Sequence, residues 1–287
     1  MRILKRILIV ILLLIASVLL MFFLNDQANQ KIFLKKYTYE NEKIPKSFHN
    51  AKILVISDLH DAPFSEQIIA RIKKEKPDYV VMTGDMVQLP DDKFENTLEI
   101  AHALADMEIP LYAVSGNHDR QCGAYYEMVE TLWANDVYLL ENGSVRLERN
   151  DESINLIGIK DPRHDIVTDE KKKVIRGNIE YELSKKEGFS ILLSHRADLY
   201  PDIKDTGVDL ILSGHLHGGI VRLPFVGGIV GKDKDSSLFP DYEYGVYQEG
   251  NAATMIVSGG CDKNPKKRRF FNPPEVLLIT LKGESLK

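Results

Sequence analysis

The stretch that decides the fold is VDLILSGHLHGG, residues 208–219. Its first half is a short, branched apolar run that stops at a glycine, a pattern typical of a buried β-strand. Two histidines follow two residues apart, His215 and His217, so an extended backbone would point both imidazoles to the same side. Imidazole is the commonest metal-binding side chain. Taken alone, the stretch fits a metal site or a pair of ordinary loop histidines equally well.

Four other apolar strands predicted along the chain also end in side chains that can bind a metal ion. These strands lie at residues 51–57, 79–83, 111–114 and 190–194, and they are followed by Asp58 and His60, by Asp85, by Asn117 and His118, and by His195. Each residue has an ordinary explanation by itself, as a turn residue, a helix cap or a hydrogen-bonded loop histidine. Together they predict one site, because ligands from distant parts of a chain converge at the carboxyl ends of strands in α/β sheets.

The order of the predicted elements indicates the fold class. Between the early strands, apolar spacing predicts helices, for example at residues 94–105, and a charged helix is predicted later, at residues 168–186. After residue 135, short strands come close together, and two more are predicted at residues 254–258 and 276–281. Early alternation followed by clustered strands predicts an α/β sandwich with a mixed rather than a purely parallel sheet.

Composition narrows the classes of protein that fit. The chain has 287 residues, enough for one large globular domain or two small ones. Its two cysteines, Cys122 and Cys261, are too few for a zinc cluster or a disulfide framework. The formal net charge is -5, and the segment before Asn25 contains three basic side chains and no acidic one, so the rest of the chain is more acidic still. An acidic body argues against a nucleic-acid partner, and no obligate protein partner is evident.

The N-terminal segment contains an apolar run, from Ile7 to Leu24, that only Ser17 interrupts. As a helix it would extend about 27 Å, close to the hydrocarbon thickness of about 30 Å. A cleaved signal peptide is the alternative, but its apolar region usually has about 7–15 residues, and no small-x-small site follows Leu24. We therefore predict a signal anchor or transmembrane helix at residues 1–24, a linker and edge segment at 25–50 and a catalytic domain at 51–287.

Basic residues on the two sides of this run bear on membrane orientation. Three basic side chains precede the run and favour a cytoplasmic start. Three lysines between residues 31 and 36 lie just beyond it and oppose that orientation. We expect a single-pass protein of the cell membrane whose catalytic domain is extracytoplasmic.

The five strand ends, taken with their neighbours, resemble the calcineurin-like metallophosphoesterases. That family has the pattern Asp-x-His, Gly-Asp, Gly-Asn-His-Asp/Glu, a lone His and Gly-His-x-His, in this order. The chain contains the whole pattern in the same order, as DLH at 58–60, GD at 84–85, GNHD at 116–119, His195 and GHLH at 214–217.

Smaller similarities extend the resemblance to the membrane-associated bacterial branch of the family, which includes some hydrolases of lipid-linked sugar nucleotides. They are Gly218-Gly219, Leu223-Pro224, and Arg269 shortly before a Pro-Pro-Glu sequence. The chain departs from that branch at Leu216, where Thr is usual, and at Ile220, where Gln is frequent. Neither change removes a metal ligand, but both can alter the wall of a substrate pocket.

The resemblance implies a metallophosphoesterase-type α/β/β/α sandwich with mixed sheets, preceded by one N-terminal transmembrane helix, and a site for two divalent metal ions. By resemblance, Asp58, His60 and His217 would hold one ion and Asn117, His195 and His215 the other, with Asp85 bridging the two. Oxygen and nitrogen donors without a thiolate favour Mn, Fe or Zn over calcium or magnesium.

The implied activity is hydrolysis of a phosphomonoester, a phosphodiester or a pyrophosphate. Two ions about 3.5–4 Å apart lower the pKa of a shared water, and the resulting hydroxide attacks phosphorus in line. Asp85 and His118 are the predicted catalytic residues, and His118 would give a proton or hydrogen bond to the leaving group. Asp119 either orients His118 or caps the following helix. Leu216 and Arg269 are predicted to contact the substrate.

The anchor suggests that the phosphoester substrate is lipid-linked or part of the cell envelope. Two other hypotheses stay open at the level of sequence. One is a metal-bearing scaffold that binds a partner without turnover, which the intact ligand set opposes. The other is a nuclease of the same fold, which the acidic and anchored body opposes.

Overall fold

Two six-stranded β-sheets face each other across an apolar core. The computed structural model describes residues 2–90, 92–163, 167–185, 187–223, 225–230, 239–263 and 268–283. The first sheet has the order β1-β14-β2-β3-β4-β5, and its strands are β1 (Phe33–Glu40), β2 (Lys52–Ile56), β3 (Tyr79–Met82), β4 (Leu111–Ala113), β5 (Val137–Leu139) and β14 (Glu275–Lys282). Only the pairing of β14 with β2 is antiparallel in this sheet.

The second sheet has the order β12-β13-β9-β8-β7-β6. Its strands are β6 (Gly143–Arg149), β7 (Glu152–Gly158), β8 (Ser190–Arg196), β9 (Leu210–Gly214), β12 (Gly245–Tyr247) and β13 (Thr254–Val257). The outer pairs, β6 with β7 and β12 with β13, are antiparallel, and the inner pairs are parallel. A separate hairpin consists of β10 (Val221–Leu223) and β11 (Gly227–Val230).

Helices cover the outer face of each sheet, and one further helix, at the N-terminus, precedes the sandwich. The helices are α1 (Arg2–Ala28), α2 (Ser65–Glu75), α3 (Glu95–Asp106), α4 (Asn117–Gln121), α5 (Tyr125–Ala134), α6 (Asp169–Ser184) and α7 (Tyr200–Ile203), with 3-10 turns at Lys46–Phe48 and Ala197–Leu199. Successive side chains of β2 point to opposite faces of the sheet. Ile53 and Val55 enter the core between the two sheets, whereas Leu54 and Ile56 enter the core under α2, α3 and α5. The predicted α/β/β/α sandwich with mixed sheets is confirmed.

The structure adds detail to three features of the sequence. The segment at residues 25–50, predicted as a linker and edge segment, contains the edge strand β1, which pairs in parallel with β14. The charged helix α6 is only partly exposed, since Ile175 and Ile179 face the second sheet. Both cysteines are buried free thiols.

Helix α1 precedes the sandwich and has no buried residue. It is longer than the apolar run at residues 7–24, because it continues to Ala28. Within the described part of the chain it is the one helix that is long and apolar enough to cross a membrane. Its last turns touch the sandwich, where the side chains of Asn25 and Asn29 donate to the Arg269 carbonyl at 2.9 and 2.8 Å.

Candidate metal centre

The strand ends of both sheets meet at one edge of the sandwich. Asp58, Asp85 and Asn117 follow β2, β3 and β4 of the first sheet, whereas His195 lies in β8 and His215 follows β9 of the second. Because these strands are parallel within each sheet, their carboxyl ends lie side by side. The seven side chains that the sequence predicts as metal ligands are brought together there, and all of them are buried.

Four of these side chains form the first group, and their ligand atoms lie within 4.8 Å of one another: Asp58, His60, Asp85 and His217. The His217 Nε2 lies 3.1 Å from Asp58 Oδ1 and 3.4 Å from His60 Nε2. One carboxylate oxygen of Asp85, Oδ2, is 3.5 Å from His60 Nε2. Two carboxylates and two imidazoles at this spacing are a donor set suited to a divalent cation.

The second group contains Asp85, His195 and His215, whose ligand atoms are also within 4.8 Å of one another. The other carboxylate oxygen of Asp85, Oδ1, lies 3.4 Å from His195 Nε2. That nitrogen is 3.1 Å from His215 Nδ1 and 3.2 Å from Asn117 Oδ1. Asp85 therefore faces both groups, with one oxygen toward each. The residues present fit the two ions that the resemblance implies.

The backbone that carries the ligands is strained. Five of the seven have a positive φ, namely Asp58 at 50°, His60 at 46°, Asp85 at 54°, His215 at 76° and His217 at 50°. Residues other than glycine enter this region at a cost of about 1–3 kcal/mol each, and they persist only where surrounding contacts hold them. Such a concentration of strain is typical of functional sites.

Glycines make room for this backbone. A Cβ on Gly214, at the end of β9, would lie 1.8 Å from Ser57 Oγ and 2.5 Å from Asp58 Oδ2. The missing side chain lets the two sheets approach closely, and the His215 N–H donates to Asp58 Oδ2 at 3.0 Å across the gap. A larger residue at this position would push the two sets of ligands apart.

Two of the histidines are oriented by backbone carbonyls on the side away from the cluster. The His195 Nδ1 lies 2.8 Å from the Thr83 carbonyl, and the His60 Nδ1 lies 3.3 Å from the Val87 carbonyl. Contacts of this kind fix the ring orientation and tautomer of a metal-binding histidine. Although burial lowers the pKa of His195, the Asp85 carboxylate beside it raises the value to about 9.

A carboxylate orients the third histidine. The Asp262 Oδ1 lies 2.9 Å from His217 Nδ1, and Arg269 Nε donates to the same oxygen at 2.8 Å. Burial alone would raise the pKa of Asp262, but the charges of Arg269 and His217 hold it well below its usual range. Asp262 was missed in the sequence, although it lies just beyond β13, a further strand end. The side chain of Asn272 also donates to the His217 carbonyl at 2.6 Å.

Arg196 is a second residue that sequence reasoning missed. Its side chain is 1% exposed, with Nε donating to Asp161 Oδ2 at 2.8 Å and Nη1 lying 3.4 Å from His215 Nε2. Full burial of a guanidinium requires a charged partner, which Asp161 provides from a distant part of the chain. An arginine inside an apolar strand next to His195 is the signal that could have revealed it.

Asp119 clamps the loops that carry the ligands. Its Oδ1 accepts from the Met86 and Val87 N–H groups at 2.8 and 2.9 Å, and its Oδ2 accepts from the Gly116 N–H at 2.8 Å. The last contact caps α4, which was one of the two roles predicted for this residue. Burial, together with the charge of Asp85, raises the pKa of Asp119 to about 7.

His118, one of the two predicted catalytic residues, lies at the rim of the centre. Its backbone N–H donates to Asp85 Oδ1 at 2.8 Å. Its ring packs edge-on against the His60 ring, with the centroids 4.5 Å apart, and the side chain is partly exposed. His118 therefore lies beside the two groups of predicted ligands, with a side chain that a molecule from solution can reach.

The two residues predicted to contact substrate are both buried. Leu216 is 7% exposed and belongs to the apolar cluster under α6 and α7. Arg269 is 4% exposed, pairs with Asp262 and lines a cavity of about 410 Å³ between the end of α1 and the sandwich. The substrate contacts of both stay predictions, and Arg269 contacts Asp262, which in turn contacts His217.

Comparisons with known proteins agree with this geometry. Residues 51–219 match the family model described as calcineurin-like phosphoesterase. The chain is 31% identical over 264 residues to the uncharacterized metallophosphoesterase YkuE of Bacillus subtilis, covering 86% of this chain and 85% of that protein. It is 31% identical over 266 residues to an uncharacterized metallophosphoesterase of Aquifex aeolicus, covering 88% and 92%.

A more distant relative is a transmembrane protein with metallophosphoesterase domain from Danio rerio, 27% identical over 198 residues, with 62% of this chain and 43% of that protein covered. The family match spans more than half of the chain and includes all seven side chains of the two groups. The chain belongs to the calcineurin-like phosphoesterase family.

Proposed function

We propose that this protein is a membrane-anchored, dinuclear-metal hydrolase that cleaves a phosphomonoester, phosphodiester or pyrophosphate bond. The observation that carries the proposal is the position of Asp85, whose two carboxylate oxygens face two separate groups of buried ligands at 3.5 and 3.4 Å. A carboxylate shared in this way can hold two cations while offsetting part of their mutual repulsion. A site for a single structural ion would not need the second group.

Each part of the centre has a proposed role. Asp58, His60 and His217 would hold one ion, Asn117, His195 and His215 the other, and Asp85 both. Manganese, iron or zinc, once bound, would supply a water-derived nucleophile at neutral pH and neutralise charge on the phosphoryl oxygens. The protein contributes a buried pocket in which these electrostatic interactions are stronger than in water.

His118 is the proposed acid for the leaving group. It lies next to Asn117 in sequence and against the His60 ring in space, yet its side chain is partly exposed. An imidazole at the rim of the centre can reach the leaving oxygen of a bound ester and donate a proton to it. Asp119, which fixes the turn that carries His118, would set its position.

Helix α1 is the proposed membrane anchor. Its length, apolar surface and lack of buried residues support a single span, and the basic residues at its start favour a cytoplasmic N-terminus. The catalytic domain, at residues 51–287, would then be extracytoplasmic. Tethering would concentrate the enzyme at the bilayer, which favours a lipid-linked or envelope substrate over a nucleic acid.

A panel of phosphate esters tests the function. Purified full-length protein loaded with Mn is assayed on mono-, di- and pyrophosphate esters beside the Asp85→Asn variant. We expect turnover of at least one ester class by the wild type and loss of about two to three orders of magnitude in the variant, a range typical when one charge-stabilising group is removed. A metal-loaded wild type that turns over none of the esters would support a non-catalytic scaffold instead.

The variant His118→Ala is a second arm of the same assay. It should keep both ions, measured by elemental analysis, and should hydrolyse esters about 10²–10⁴-fold more slowly, most severely where the leaving group is poor. An equal loss for good and poor leaving groups would contradict the proposed proton transfer. Loss of an ion would show that His118 is a ligand.

A further inference from the structure

The hairpin of β10 and β11 carries a tip of large apolar side chains that the sandwich leaves exposed. Phe225 is fully exposed, and Val226 and Leu223 are 55% and 39% exposed. Phe271, on the neighbouring segment, is 41% exposed. Single exposed apolar residues are common, but a contiguous group of them on a soluble surface marks a contact with another molecule or with a membrane.

This hairpin is joined to α1 through one short segment, residues 269–271. Strand β10 forms a parallel bridge with the segment at Val221 and Phe270, and the Arg222 N–H donates to the Phe270 carbonyl at 2.9 Å. On the other side of the segment, the Phe270 ring lies against the Phe22 ring of α1, with the centroids 5.4 Å apart. The exposed tip and the apolar surface of α1 are therefore neighbours.

The contacts of this segment with α1 show where the hairpin lies. Near the end of α1, Asn29 contacts Arg269, whereas Asn25, one turn earlier, also accepts from the Phe271 N–H at 2.8 Å. One turn further back, Phe22 meets Phe270. The segment at residues 269–271 therefore lies along the last turns of α1 and reaches the apolar side chain of Phe22. Because β10 is bridged to this segment at Val221 and Phe270, the hairpin with its exposed tip lies beside the end of α1.

We propose that the hairpin tip, Leu223 with Phe225 and Val226, inserts into the lipid bilayer beside α1 as a second membrane contact. The proposal rests on the proposed anchoring of α1. The exposed apolar surface of α1 requires lipid around it, and the same lipid would cover an exposed apolar tip on the hairpin beside it. Phenylalanine at such a tip suits the boundary between headgroups and acyl chains.

A second contact has a consequence for the metal centre. If α1 were the one membrane contact, the sandwich could adopt many orientations relative to the bilayer. Two contacts on the same face would fix which side of the sandwich faces the bilayer. That side contains Arg269, which pairs with Asp262, and Asp262 orients His217 of the metal centre. The centre would then be held a few side chains from the membrane surface.

Tryptophan fluorescence in liposomes tests the insertion. The chain has one tryptophan, Trp133 in the last turn of α5, just before β5 begins and therefore at the sheet edge opposite the metal centre. The full-length variant Trp133→Phe/Phe225→Trp is reconstituted in liposomes with lipids brominated at shallow acyl positions. In unbrominated liposomes, we expect the emission maximum of the tryptophan at position 225 to lie to the blue of that of a tryptophan exposed to water. In brominated liposomes, the intensity of this emission should fall strongly, whereas the emission of Trp133 in the wild type should stay the same. Both substitutions are at exposed positions, so folding is preserved.

A second variant separates failure of the hairpin from failure of the anchor. Trp133→Phe/Phe23→Trp places the probe in α1, at an exposed apolar position. Quenching at position 23 without quenching at position 225 would overturn the hairpin proposal and leave the anchor intact. No quenching at either position, with protein that does not float with liposomes, would overturn both, and phosphoesterase activity of the same sample reports separately on the catalytic proposal.

Discussion

At the scale of a single residue, Asp262 orients His217 in the candidate metal centre. It holds the Nδ1 of His217 at 2.9 Å and is itself held by Arg269. A carboxylate in this position fixes the tautomer that leaves Nε2 available for a metal ion and makes that nitrogen more basic. The residue is buried and lies outside the five blocks that resemble the family, so it supports the site without contributing to the motif.

We predict that Asp262→Asn lowers metal affinity about 10–100-fold, the usual effect of losing such a partner. An amide is a weaker acceptor and leaves the charge of Arg269 unbalanced beside His217. Calorimetric titration of the chelated protein with Mn or Zn measures the loss. The matched control is Asp209→Asn, because Asp209 is also buried and salt-bridged, to Lys43, but lies just before β9, away from the centre. Equal affinities in the two variants would contradict a role for Asp262.

At the scale of elements, the strand ends were the part of the site that sequence could predict. A short apolar run followed by Asp, Asn or His is visible in one dimension, and parallel pairing then brings such ends together without further information. This is why the side chains that the sequence predicts as ligands, at the ends of β2, β3, β4, β8 and β9, lie close together and are buried. The alternation of strands and helices also predicts an α/β sandwich with a mixed sheet, whereas the α/β/β/α layering was implied by the resemblance.

Other details of the fold depend on contacts that the sequence does not display. Strand β1 has charged residues through its middle and is held by β14, which lies near the opposite end of the chain. The left-handed backbone at His215 and His217 was not predictable, since non-glycine residues enter that region only where tertiary contacts hold them. The pair of Arg196 with Asp161 likewise joins β8 to a loop that carries no motif.

A substitution at Gly214 tests how closely the end of β9 must approach the end of β2. An added Cβ would lie 1.8 Å from Ser57 Oγ, so the strand end must shift. We predict that Gly214→Ala lowers the free energy of unfolding by about 1–3 kcal/mol, as overpacking of a close contact does, and abolishes binding of at least one ion. Urea unfolding and elemental analysis measure the two effects.

The control for this prediction is another glycine. A Cβ at Gly177, within α6, would meet nothing within 4 Å. Gly177→Ala should therefore stabilise the protein by about 0.5–1 kcal/mol, the usual gain from replacing glycine inside a helix. If Gly214→Ala were as stable and as metal-rich as Gly177→Ala, close approach of the two strands would not be required.

At the scale of the whole molecule, the sandwich concentrates acidic groups in a place from which it excludes water. Two apolar sheets meet at an edge where the carboxylates of Asp58, Asp85 and Asp119 are all buried. In the metal-free protein, bound protons neutralise part of the negative charge that metal ions would otherwise neutralise. Burial and the charge of Asp85 raise the pKa of Asp119 to about 7, and Asp85 raises that of His195 to about 9 against the opposing effect of burial.

These two shifts set the sign of a pH dependence. The ordinary pKa is 3.8 for Asp119 and 6.5 for His195, so in both cases the folded, metal-free protein binds a proton more tightly than the unfolded chain. Stability from such groups is complete below the unfolded pKa and is lost as pH rises through the folded one. The metal-free protein should therefore become less stable between about pH 4 and about pH 7 through Asp119, and up to about pH 9 through His195.

We predict that the stabilisation given by metal grows with pH. Metal ligands must be deprotonated, so at about pH 6 a proton on His195 competes with the ion, whereas at about pH 8.5 the ion replaces a proton that is already being lost. The difference in melting temperature between Mn-loaded and chelated protein should widen over this range. Burial would still raise the pKa of Asp119 in Asp85→Asn, but the variant lacks the charge that adds to that shift and that raises the pKa of His195, so the chelated variant should lose less stability as pH rises. A difference that stays constant with pH would show that these two groups do not control the balance between protons and metal.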